Sequence, residues 1–231
     1  MRAIMPEPLP SLSRSVEDYL KAIFSLTEQG EVAATSALAQ SLDVQPASVT
    51  GMVKRLAEAG YVEHLPYKGV RLTEEGRAEA LRIVRRHRIL ETYLLRRLGY
   101  SWDDVHDEAE RLEHAASDRL IGRMAAALED PSHDPHGAPI PTPAGEIEAV
   151  DFATLADAGA GEDVRIRAVA DEDPERLRYM EARGLKPGVQ VRVEGHEPFD
   201  GPVRVRVGGA GGDPFSVGRE LARRIYVSDA T

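Results

Sequence analysis

A chain of 231 residues, 42% hydrophobic and 29% charged, has the composition of a globular protein with a full core and room for more than one module. No apolar run approaches the roughly 20 residues of a membrane-spanning helix, and the absence of cysteine excludes disulfides and thiolate metal sites, leaving oxygen and imidazole nitrogen as the available metal ligands. The formal net charge of −10 argues against a broadly basic nucleic-acid binder, yet within residues 35–72 Lys54, Arg55, Lys68 and Arg71 outnumber Asp43, Glu58 and Glu63, so a local DNA surface stays open.

Residues 1–10 contain no continuous apolar core of the kind a secretory signal carries, and the expected compartment is the cytoplasm. Val16, Tyr19, Leu20, Ile23, Phe24 and Leu26 recur at helical spacing, predicting a first helix capped by Ser13 or Ser15 and ended at Gly30. A short helix over 36–42, a turn over 43–46 and a longer helix over 47–59 stopped by Gly60 follow, with Pro46 near the first turn, where a missing amide costs little. Residues 61–65 alternate as a strand, 66–69 turn, and 70–72 return as its partner. Helix, turn, helix and hairpin in this order make a winged helix-turn-helix.

Thr73 is placed to cap a long helix running to Leu98, broken by Gly99-Tyr-Ser101. Residues 102–128 read as one further helix, with Val105, Ala109, Leu112, Ala116, Leu120 and Met124 on a single stripe. The apolar stripes between Leu81 and Met124 are the expected face of a homodimer. Five prolines and two glycines in 129–145 force an extended or turning connection. The acidic, Ala/Gly-rich stretch 146–162 reads as a linker, and the period-two segments 164–169, 189–193 and 203–207 read as strands of a small closing β-barrel. The expected fold class is mainly α with a β module: a winged helix-turn-helix DNA-binding domain over 1–75, a helical metal-binding and dimerisation domain over 76–145, a linker over 146–162 and a β domain over 163–231.

A helix that reads the major groove presents small polar side chains near its N-terminal end. Gln45, Ser48, Thr50 and Gly51 meet that requirement, opposite the apolar Val49, Met52, Val53 and Leu56, while Lys54, Arg55 and the wing residue Lys68 suit phosphates. A helical hairpin used for protein contacts shares this amphipathicity but not the wing.

Further along, His106, Glu110, Glu113 and His114 stand at helical spacings of four, three and one, and His87 with Glu91 makes a second i, i+4 pair. Two apposed helices so equipped build a metal site as bundle cores do. Solvated charges, or ion pairs to Arg85, Arg86, Arg88 and Arg111, are the competing reading of the same residues.

The segments Ser15-Val-Glu-Asp-Tyr-Leu20, Arg86-His-Arg-Ile-Leu-Glu91, Val105-His-Asp-Glu-Ala-Glu110 and Leu112-Glu-His114 together resemble the diphtheria toxin repressor family, in particular its manganese-transport regulator branch, over most of the chain and most strongly from 13 to 141. The resemblance implies a homodimer that binds a palindromic operator on double-stranded DNA when loaded with Mn²⁺ or Fe²⁺, repressing metal-uptake genes. It implies a primary metal site of Asp18, Glu110, Glu113 and His114 and an ancillary site of His87, Glu91 and His106. In the iron-responsive branch Met stands in place of Asp18 and Cys in place of Glu110, so this chain follows the manganese branch. Lys21 stands where the short manganese regulators have Glu, so their two-ion cluster does not transfer unchanged. Asp134-Pro-His-Gly137 matches a family element and suggests His136 as a further ligand, with Asp134 where Cys is common. Asp171 falls where the third domain donates a carboxylate, although Pro174 occupies the place of a second donor. The closing module, with Gly184-Leu-Lys-Pro-Gly188, is similar to the family's SH3-like (FeoA-like) domain.

Two other functions share some of these features. A winged-helix regulator answering a small organic ligand would leave the Glu and His groups as surface charge. A metal-dependent hydrolase would use them as a catalytic centre, but no His-Glu-x-x-His or similar motif occurs, and no enzyme activity is expected.

Overall fold

The computed structural model describes residues 12–27, 32–65, 68–171, 173–208 and 212–230. The Gly30 helix stop, residues 1–10 and the Pro66-Tyr67 part of the wing turn lie outside the described residues. The chain forms two compact units, residues 1–84 and 85–231.

The first unit contains α1 (Arg14–Thr27), α2 (Thr35–Ser41), α3 (Pro46–Glu58), β1 (Val62–Leu65), β2 (Gly69–Leu72) and the opening turns of α4 (Glu74–Leu98). Along α1, Tyr19, Leu20, Ile23 and Phe24 are buried, the i, i+3, i+4 stripe expected of an amphipathic helix. Asp43 turns the chain between α2 and α3 at φ 49, and Val44 N–H closes the turn on the Ala39 carbonyl at 3.0 Å. Pro46 opens α3, whose Val49, Val53 and Leu56 are buried. Gly60 ends it at φ 83, where a side chain would be strained, and Tyr61 N–H reaches back to the Leu56 carbonyl at 3.0 Å. The wing is antiparallel, Val62 facing Leu72 and Leu65 facing Gly69. Ala33 adds a short third strand by exchanging two 2.9 Å hydrogen bonds with Val70. Thr73 caps α4 as expected, accepting from Gly76 N–H at 3.1 Å.

The second unit holds the rest of α4, then α5 (Val105–Leu112), α6 (Asp118–Ala127), β3 (Ala153–Thr154), β4 (Asp163–Val169), α7 (Pro174–Ala182), β5 (Gln190–His196), β6 (Val203–Val207), β7 (Phe215–Val217), α8 (Arg219–Ala222) and β8 (Ile225–Asp229). The single helix expected over 102–128 is in fact two. Ser117 in extended backbone (ψ 150) accepts from Leu120 N–H at 3.3 Å and starts a new helix. The break turns the expected stripe: Val105, Ala109 and Ala116 are buried, but Leu112 and Leu120 are 38% and 45% exposed. A helical core gathers Ile89, Leu90, Leu94, Val105, Ala109, Ile121, Ala125 and Ile140. The proline-rich connection lies on α4, its carbonyls accepting from Arg85 (to Pro141, 2.7 Å) and Arg88 (to Pro139, 2.5 Å).

The closing module is a six-stranded antiparallel sheet in the order β3-β8-β4-β5-β6-β7. Val164, Ile166, Val191, Val193, Val203 and Val205 alternate into its core with Ile225 and Val227. One expectation is corrected here, and one element is added that was not foreseen. The segment read as a linker to 162 contributes β3 and the buried Leu155, Ala156 and Ala158 to this core, and the stretch after β4 forms helix α7, opened by Asp173 accepting from Glu175 N–H at 2.8 Å.

Candidate metal centre

The second unit brings α4 and the two ends of α5 together around one histidine. His87 Nδ1 lies 2.6 Å from Glu113 Oε2 and 4.0 Å from Glu110 Oε1, while its Nε2 lies 2.9 Å from Glu91 Oε1 and 3.2 Å from His106 Nδ1. His106 Nδ1 is also 3.2 Å from Glu91 Oε1. A neutral imidazole carries one N–H, so carboxylate contacts at both nitrogens call for positive charge, from a second proton or a metal ion. His114 follows at the helix end, its Nε2 3.4 Å from Glu113 Oε1. The donor atoms of Glu110, Glu113 and His114 lie within 4.8 Å of one another, as do those of His87, His106 and Glu110. Glu113 is buried (1% exposed), a costly position for a carboxylate unless a cation answers it.

A second group gathers at the other carboxylate oxygen of Glu91, where Glu91, Asp134 and His136, all buried, offer ligand atoms within 4.8 Å of one another. His136 Nδ1 is 4.0 Å from Glu91 Oε2, and Arg88 Nε is 3.6 Å from Asp134 Oδ2. Burial pushes the Glu91 carboxyl up, but the His87 charge, hydrogen bonds from His106 and His87, and His136 hold it well below the usual carboxylate range. Asp134 goes the other way: burial and the neighbouring Glu91 raise it against Arg88 and His136. Two adjacent buried carboxylates with an imidazole, and no sulfur, fit a hard divalent cation. Asp134 was not among the ligands expected, because a proline-rich loop has no periodicity to point its side chain.

Asp171 sits elsewhere. It is buried (7% exposed) with its Oδ2 3.4 Å from Arg176 Nη1 and 3.6 Å from Arg224 Nε, inside the β module, and it belongs to neither group. Of the arginines that compete for the carboxylates, Arg86 holds Asp118 at 2.8 Å and Arg111 holds Glu108 at 2.5 Å. In the first unit, Asp18 lies on α1 with its side chain 31% exposed, 4.0 Å from Arg14. Gln45, Ser48, Thr50, Gly51, Lys54, Arg55 and Lys68 are all exposed, on α3, at its start and on the wing.

Residues 11–70 match the pattern described as iron dependent repressor, N-terminal DNA binding domain, residues 73–142 its metal binding and dimerisation domain, and residues 153–229 the FeoA domain. The diphtheria toxin repressor of Corynebacterium efficiens is 30% identical over 201 residues, spanning 80% of this chain and 85% of that protein. The regulator MntR of Oceanobacillus iheyensis is 38% identical over 120 residues, 52% of this chain and 77% of its own length. A solved structure described as a manganese-dependent transcriptional repressor complex with manganese superposes with a TM-score of 0.85 at 39% identity, covering 93% of this chain and 99% of that one. With a DNA-binding, a metal-binding and dimerisation, and a FeoA segment in this order, the chain belongs to the iron-dependent repressor family, whose members are metal-dependent transcriptional repressors that dimerise and bind operator DNA and are not enzymes.

Proposed function

We propose that this protein is a manganese-activated repressor of metal-uptake genes, acting in the cytoplasm on a palindromic operator. The observation that carries the metal is the set Glu110, Glu113 and His114, with mutually close ligand atoms beside His87: oxygen and imidazole donors without thiolate suit Mn²⁺, with Fe²⁺ next. Likeness to a manganese-dependent repressor and to MntR supports the same metal. Asp18 of α1 is proposed as the fourth ligand of this primary site. Glu91, Asp134 and His136, with His87 and His106 beside them, are proposed as the ancillary site; Asp171 is left to its arginines.

A bound divalent cation supplies the positive charge that lets these carboxylates converge. Without it, Glu110 and Glu113 repel an approaching Asp18 carboxylate, and α1 samples positions in which the two recognition helices of a dimer miss successive major grooves about 34 Å apart. Gln45, Ser48, Thr50 and Gly51 are then proposed to meet base edges, and Lys54, Arg55 and Lys68 the phosphates. Intrinsic affinity ranks Co²⁺, Ni²⁺ and Zn²⁺ above Mn²⁺, so preference has to come from geometry and availability.

The test is operator binding by metal-stripped protein, followed by anisotropy with each divalent ion added in turn, Fe²⁺ under anaerobic conditions. Stripped protein should lose specific binding and Mn²⁺ should restore it. Unchanged operator affinity in the stripped protein would sink metal activation, and restoration by Fe²⁺ but not Mn²⁺ would reassign the metal.

A further inference from the structure

We infer that Trp102 is a positioning residue for the Glu91–Asp134–His136 pocket, and that through it metal occupancy of that pocket is linked to the seating of the C-terminal β module; the inference rests on the metal reading of that pocket given above. Trp102 grips the dipeptide Pro135-His136 at two points. Its indole Nε1–H donates to the Pro135 carbonyl at 2.9 Å, and its own carbonyl faces His136 Nε2 at 3.0 Å. A carbonyl only accepts, so His136 Nε2 carries a proton, which leaves Nδ1, turned toward Glu91, as the nitrogen that a metal ion would take. The rings lie against each other, centroids 5.0 Å apart. This is the second-contact arrangement that orients a metal-binding histidine.

Trp102 is not a helical-core residue. Although it precedes α5, it is buried in the core of the β module with Leu177, Leu185 and the inward valines, under the Lys186 ammonium 5.3 Å from its ring centroid. The other face of the His136 loop is held by the same module. Val169 N–H of β4 donates to the His136 carbonyl at 2.8 Å. Gly137, at φ 88, lies so close that a Cβ would stand 2.1 Å from the Arg167 carbonyl oxygen and 2.8 Å from Ala168 Cα. Asp134 is fixed within the loop, its Oδ1 accepting from His136 N–H and Ala138 N–H at 2.8 and 3.0 Å. Two of the three ligands therefore ride on a loop clamped between α4 and β4. Metal that draws Asp134 and His136 toward Glu91 stabilises the loop geometry that β4 and Trp102 require, and by reciprocity the seated module raises metal affinity.

The test uses full-length protein, Mn²⁺ as the probe, and two readouts: binding isotherms from the electron paramagnetic resonance of free Mn²⁺, and hydrogen exchange at the Val169 amide. In wild type, Mn²⁺ should slow exchange at Val169. Glu91→Gln should remove the pocket's share of bound Mn²⁺ and that slowing together. Trp102→Phe, which keeps an aromatic ring but loses the Pro135 hydrogen bond, should weaken the pocket's Mn²⁺ affinity roughly two- to tenfold and leave the other Mn²⁺ site unchanged. Gly137→Ala, which forces the loop off β4, should weaken it further, with the unchanged second site reporting that the helical domain is folded. If Glu91→Gln removes bound Mn²⁺ while Val169 exchange ignores the metal and both loop variants bind as wild type, the linkage is wrong and the metal pocket stands. If Glu91→Gln leaves the bound Mn²⁺ unchanged, the pocket assignment falls and the linkage with it.

Discussion

Asp103 is a carboxylate whose environment sets an acid limb of stability. Burial pushes its carboxyl up, but hydrogen bonds from Arg178 (Nη1 to Oδ2, 2.6 Å) and Ser101 outweigh that and hold it below the usual carboxylate range. A depressed folded-state value means that the contribution is fully present above the unfolded pKa, near 4, and is lost as pH falls through the folded one. Asp103→Asn should therefore lower the melting temperature at pH 7, by about 2–4 °C, and the gap to wild type should narrow as the pH is lowered below about 4; calorimetric scans of both proteins across that range check it, and a gap independent of pH would mean the carboxylate's charge is not what matters. The same scale shows which of the proposed site residues the sequence could reveal. Glu110, Glu113 and His114 were legible because helical spacing alone puts them on one face. Asp134 was not, because the partner that gives it meaning, Glu91, is brought near only by the folding of an aperiodic loop onto α4. The partners of Asp171 were hidden for a related reason: helix α7, which supplies Arg176 3.4 Å from its carboxylate, was not read from the sequence.

At the level of elements, the periodic stretches were predicted closely and the interruptions were not. The winged helix-turn-helix follows from strong apolar periodicity and from Pro46, Gly60 and Thr73 at its joints. The continuous stripe from Val105 to Met124 concealed the break between α5 and α6, because apolar residues keep recurring at roughly helical intervals across it while the backbone turns at Ser117. That break places Glu113 and His114 at a helix end, where Glu113 N–H bonds to the Ala109 carbonyl at 2.9 Å and the chain is about to change direction. Ser117→Ala removes the acceptor for Leu120 N–H and should cost about 1 kcal/mol of stability, measured by urea denaturation, with Ser117→Asp recovering most of it. An alanine variant as stable as wild type would show that α6 starts without its cap. Short strands were the other omission: β3 and β7 span two and three residues, too few to display a period, and are defined by their partners in the sheet, while β8, whose Ile225 and Val227 are buried, was not read as a strand.

For the whole molecule, the order of a DNA-binding, a helical and a β module was legible from where the period changed from helical to alternating, while β3 and its buried neighbours begin the β module before the expected residue 163. What a single chain leaves uncovered points to assembly. Of the large apolar side chains that stand exposed, Leu98, Tyr100, Leu112 and Leu120 fall on the helical module, the segment that matches a dimerisation domain. Leaving such side chains in water forfeits about 25 cal/mol for each Å² that a partner would bury, and a glutamate in their midst would have to be desolvated on assembly. Leu120→Glu should therefore shift sedimentation from dimer toward monomer at micromolar concentration. Leu120 is 45% exposed on α6 and is none of the proposed ligands, so Mn²⁺ binding to each chain should survive. Operator affinity should not: a monomer presents one recognition helix to one half-site, and losing the second, effectively intramolecular contact costs on the order of a hundredfold. A variant that remains dimeric with full operator affinity would place the dimer contact away from α6, whereas one that is monomeric yet binds the operator as tightly as wild type would remove dimer geometry from the account of metal activation.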